Sequence, residues 1–104
     1  MHIHQLKELD FDEAIELLET RLAETQAAID AAQKKVDDGD YDGDRATIEA
    51  RMASLQTDRA ALEERMERLR QQKAGELAGE TDNLLTEMLA LFDRIGERLD
   101  NLFS

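Results

Sequence analysis

The chain has 104 residues and a net charge of −12, with one Tyr, three Phe and no Trp, Pro or Cys. The lack of Cys excludes disulfides, thiolate metal sites and Cys nucleophiles. The excess of acid argues against nucleic acid as a partner, since that affinity comes from Lys and Arg neutralising phosphates. No apolar run approaches the ~18 residues of a membrane span, and the N-terminus lacks the apolar core of a secretory signal, so the expected location is cytoplasmic. Twenty-five Asp and Glu against 13 Lys and Arg also resemble the composition of proteins from salt-loving microbes, in which charge serves solvation. Without Pro, and with helix-period patterning nearly throughout, the fold class is all-α.

Residues 1–9 read as an N-terminal extension or as the first turns of a helix, with Ile3, Leu6 and Leu9 at helical spacing. His2 and His4 share a face only if this segment is extended, so a solvated terminus is the simpler reading. A first helix is predicted from Asp10, where Asp10-Phe-Asp-Glu13 forms a capping box, to about Asp37. Its apolar stripe is Phe11, Ile15, Leu18, Leu22, Thr25, Ile29, Ala32 and Val36. After a turn at 37–44, a second helix is predicted from Asp42 or Asp44 to Lys73, with the stripe Ile48, Met52, Leu55, Arg59, Leu62, Met66, Leu69 and Lys73. Folding the chain back at the turn pairs Val36 with Ile48, Ile29 with Leu55, Leu22 with Leu62 and Ile15 with Leu69. The two residue numbers of every such pair add to the same total. That mirror relation predicts an antiparallel coiled-coil hairpin over residues 10–73. Its distal half is expected to be a slender two-stranded stalk, because the flanks of both helices are polar or Ala-rich.

Gly75 and Gly79 mark a linker at 74–80, and a third amphipathic helix is predicted over 81–104. Its apolar residues, Leu84, Leu85, Met88, Leu91, Phe92, Ile95, Leu99 and Leu102, cover an arc much wider than a two-stranded seam requires. The hairpin offers no equally wide surface, so the expectation is an oligomeric helical bundle. In that bundle this face is buried against further copies, as a homodimer or higher oligomer, or against another protein. A membrane surface is disfavoured: the polar face carries Glu87, Asp93, Glu97 and Asp100 against only Arg94 and Arg98, whereas membrane-surface helices favour Lys and Arg there.

The turn holds the one motif with a defined ligand. Residues 38–49, D-G-D-Y-D-G-D-R-A-T-I-E, fit the calcium-loop pattern of an EF-hand. Asp38, Asp40, Asp42 and Glu49 would supply carboxylates, and Asp44 a carbonyl. Against this, Arg45 stands where that loop has an aliphatic residue, no second loop exists, and an EF-hand would splay the helices that the mirrored stripes bring together. The simpler reading is an acidic hairpin tip turned by Gly39 and Gly43. No cofactor is otherwise implied, and no nucleophile is placed with a base. The sequence therefore points to a non-enzymatic structural or adaptor protein that self-assembles through its C-terminal helix and mediates protein–protein interaction. The alternatives are a calcium-binding module and a small chaperone or antitoxin-like binder of a protein client.

Overall fold

The structure, a computed structural model, describes residues 11–72 and 78–103. The segment 1–9, the cap at Asp10, Lys73, Gly75 and Leu77 lie outside the described residues. Among the described residues three helices, α1 (Phe11–Asp38), α2 (Arg45–Gln71) and α3 (Ala78–Asp100), follow one another without a strand. α3 starts three residues earlier than its apolar pattern suggests, so Gly79 lies within the helix rather than in the linker.

The turn between α1 and α2 is built as its sequence dictates. Gly39 adopts φ +69°, a left-handed conformation that costs an L-residue roughly 1–2 kcal/mol and glycine almost nothing. The Asp40 N–H then donates to the Lys35 carbonyl at 2.9 Å and the Gly39 N–H to that of Val36 at 3.1 Å. This paired closure satisfies two of the orphan carbonyls at the end of α1. Asp44 caps α2: its Oδ2 accepts from the Thr47 N–H at 2.9 Å and from Thr47 Oγ1 at 2.8 Å. These two donors hold the Asp44 carboxyl below the ordinary carboxylate value. A group with a depressed native pKa contributes stability above its unfolded pKa, so this cap persists in mild acid and is lost as pH falls through the lowered value.

The mirrored stripes form the core seam. Ile15, Leu18, Leu22, Ile29, Ala32 and Val36 of α1 are buried together with Ile48, Met52, Leu55, Leu62, Met66 and Leu69 of α2. At the polar level of the seam, Arg59 reaches to the edge and meets Asp30 and Glu63, with its stem lying along the interface.

α3 departs from the sequence expectation. It turns back and runs antiparallel along α2 to the tip, where Phe103 stacks on Tyr41 with ring centroids 5.9 Å apart. The hairpin is thus no bare two-stranded stalk, and it does have a surface wide enough for α3. The reason lies in residues that read as polar or merely small. The flank of α2 facing α3 is Arg51, Ser54, Asp58, Ala61 and Arg65, of which Ser54 and Ala61 are partly buried and Asp58 fully buried. On α1, Ala14 is buried beside the seam and Ala32 within it. Small side chains leave the hairpin face flat, so α3 settles onto the back of the seam itself. Leu84, Leu85, Met88, Leu91, Phe92, Ile95 and Leu102 join one core with both stripes, and Leu99 packs against it partly buried. The described part of the molecule is a rod of 48 × 22 × 19 Å.

Two glycines provide a contrast. Gly39→Ala forces an L-residue into the left-handed region and is expected to cost about 1–2 kcal/mol. Gly96 lies in α3 with nothing within 4 Å of where a Cβ would stand, so Gly96→Ala is expected to stabilise by about 0.5–1 kcal/mol. Thermal melting of both variants reads the signs, and shifts in the same direction would contradict this account.

Candidate functional site

The residues that the sequence marks as an interface lie inside the chain. Met88, Ile95 and Leu102 are at most 1% exposed, and Leu84, Leu85, Leu91 and Phe92 are also buried. Their cover is the hairpin of the same molecule, so the physical reason for expecting a partner there is met internally. Among the described residues, Leu17 is the large apolar side chain most open to solvent, at 38% exposure.

The acidic tip does not assemble into a ligand shell. Asp38 ends α1, the Asp44 carboxylate is engaged as the cap of α2, and Glu49 turns to Arg45 with Oε1 2.7 Å from Nε. Asp40 and Asp42 are exposed on the turn. Among the described residues no three His, Asp or Glu side chains are grouped to hold a metal ion. Tyr41, a non-ligand position of the calcium pattern, is instead a packing residue that ties the tip to the end of α3.

Sequence reasoning missed the edges where the three helices meet, and these carry the distinctive chemistry. The α1–α2 edge is a ladder of side-chain hydrogen bonds. Arg70 donates to Glu19 at 3.0 Å, Gln26 to Glu63, Arg59 to Asp30 and Gln56 to Gln33 at 3.2 Å. Glu19, Gln26 and Gln33 recur at heptad spacing, as do Gln56, Glu63 and Arg70, so the same mirror arithmetic could have found them. The α1–α3 edge uses cations over rings: the Arg21 guanidinium lies 4.7 Å from the Phe92 centroid and Lys35 Nζ 5.8 Å from that of Phe103.

The α2–α3 edge is the most polar. Asp58, only 4% exposed, accepts from Arg94 Nη2 and from Arg98 Nη1, both at 2.9 Å. One turn of α3 separates those arginines, so a single carboxylate of α2 bridges two consecutive turns of its neighbour. Below it, Arg65 Nε donates to Glu87 at 2.9 Å. Above it, Arg51 Nη1 donates to the carbonyls of Asn101 and Leu102, each at 3.1 Å. A side chain of α2 thereby satisfies two carbonyls just past the end of α3, while Asn101 Nδ2 donates to the Glu97 carbonyl of the last turn at 3.0 Å. Arg59, Arg65, Arg70 and Asp58 of α2 pair with Asp30 and Glu19 of α1 and with Glu87, Arg94 and Arg98 of α3, which fits a near-neutral helix placed between two acidic ones.

No helix among the described residues is long and apolar enough to cross a membrane. Comparison with known proteins adds no relative: no family model, no curated protein and no solved structure matches the chain.

Proposed function

We propose that this chain is a non-enzymatic structural or adaptor module, a stiff helical rod that acts by binding another protein on its outer surface. The observation that carries this reading is the use of the apolar faces of all three helices in one internal core. What remains outside is a charged exterior pinned by pairs between helices, which suits presentation and recognition more than chemistry. Self-assembly through α3 would require that helix to leave its own hairpin and enter that of another copy. A client-covered α3, as in a chaperone or antitoxin-like binder, would require the same release.

The test is site-specific photo-cross-linking in the source cell, with a benzophenone side chain placed in turn at the exposed positions Leu17, Thr57 and Asp93, one on each helix. A discrete heavier adduct from one face and not from the others is expected. Absence of adducts from all three positions overturns the reading.

A further inference from the structure

We propose that the groove at the tip end of the α1–α2 edge receives an arginine side chain from the protein partner. The proposal rests on the adaptor reading above and names the place and the chemistry of the contact. Among the described residues the groove holds about 330 Å³, with the seam residues Val36 and Met52 at its floor, Ala53 beside them, and Asp37, Arg45 and Glu49 as its charged rim. The hydrogen-bond ladder of this edge is unfinished here. Lower down, Glu19 receives Arg70, Asp30 receives Arg59, and Glu63 receives both Gln26 and Arg59. The two residue numbers of each rung between the helices add to one total, and the next pairs in that series are Asp37 with Met52 and Asp40 with Glu49. Met52 is apolar, so Asp37 accepts from Gln33 of its own helix, at 2.9 Å. The two acids of the last pair turn apart: Glu49 Oε1 lies 2.7 Å from Arg45 Nε, and Asp40 is exposed.

The local charge favours a cation after every base is counted. Residues 33–49 carry six acids against Lys34, Lys35 and Arg45, a net charge of −3. Of those bases, Arg45 is engaged by Glu49 and Lys35 lies over the Phe103 ring. Asp37 stands in the last turn of α1, where the carbonyl end of a helix also favours positive charge. The amino end of α2 opposes this, but Asp44 caps it. A carboxylate has about four acceptor positions, so Asp37 keeps room for a donor beyond Gln33. Arginine suits the groove better than lysine. Its stem can lie along Val36 and Ala53, and its planar fork meets a carboxylate with two parallel hydrogen bonds. Such an arginine would complete the ladder as Arg59 and Arg70 do lower on the same edge.

The experiment is a methyl NMR titration of the full chain with a capped, alanine-based helical peptide bearing one central arginine. Peptides with lysine or neutral citrulline at that place are the controls. Saturable shifts of the Val36, Met52 and Ala53 methyls are expected with arginine, severalfold weaker binding with lysine, and none with citrulline. Asp37→Asn should weaken the arginine peptide at least fivefold, and Arg45→Gln, which releases Glu49, should tighten it. Asp42→Asn removes the same charge outside the groove and should change binding less than twofold, since charges are screened over about 8 Å at ~0.15 M salt. All three positions are exposed, so the fold is retained. Shifts that stay linear, citrulline binding as well as arginine, or Asp42→Asn weakening binding as much as Asp37→Asn overturn the proposal. The titration needs no cellular partner, so its failure removes the groove alone, and the adaptor reading stands or falls on the cross-linking.

Discussion

Replacing Arg94 and Arg98 together with Met is expected to destabilise the fold by about 3–5 kcal/mol, more than removal of Asp58 itself. Both changes break the same two hydrogen bonds, but what they strand differs. The Asp58 side chain is 5% exposed, against 52% and 42% for the two arginines. Methionines keep the aliphatic packing and leave a carboxylate enclosed without a counter-charge, the costly way to break a buried pair. Asp58→Ala leaves two guanidiniums that can turn to water, so only the charge-assisted hydrogen bonds are lost, about 1.5–3 kcal/mol before solvent exposure of the arginines reduces it. Adding Asp58→Leu to the double variant should recover most of the loss, because a well-packed apolar residue commonly matches or exceeds a buried ion pair. Urea unfolding of the three variants measures the order. If the double Met variant is no less stable than Asp58→Ala, the carboxylate is not enclosed as described.

Ile95→Asp should abolish the fold rather than alter its assembly state. Ile95 is 1% exposed within a single chain, and an ionised carboxylate there has no partner in the core. That burial penalty rivals the ~5–15 kcal/mol that holds a typical domain together. The parent is expected to scatter light as a monomer of 11.8 kDa at every salt concentration. The variant should lose most of its helical circular dichroism or aggregate. The contrary pair of results, an oligomeric parent and a well-folded monomeric Ile95→Asp, would return the face of α3 to the role of an interface between molecules. Phe92→Asp, at a buried position of the same face that also carries the Arg21 contact, should behave in the same way.

The hairpin was legible because its signals are local and redundant. Period and mirror symmetry identify the seam, Gly39 supplies the left-handed turn, and Asp44 sits where a cap is needed. α3 was legible as a helix and as an apolar face, but its cover was not. The flank that receives it contains Ser54, Asp58 and Ala61, and a pattern that sorts residues into apolar and polar counts these as surface. A small residue buries little area, so its burial leaves almost no trace in hydropathy. Asp58 is harder still to foresee, since acids almost never lie in a core unless paired, and its partners follow 36 and 40 residues later. The tip was legible as a turn even though its five Asp imitate a ligand set, because chain reversal and capping employ Gly39 and Asp44.

The sequence alone therefore determined what lies within reach of one helix or one turn: where the helices run, which stripe each buries, how the hairpin closes, and that α3 must be covered. Only the tertiary structure decided by what. The choice between a second molecule and the chain's own hairpin rests on whether a flat face of small side chains lies beside the seam. It rests equally on whether Asp58, Arg94 and Arg98 meet with hydrogen-bonding geometry at its edge. Those are relations between residues distant in sequence, set by packing and the geometry of charge rather than by any periodicity along the chain.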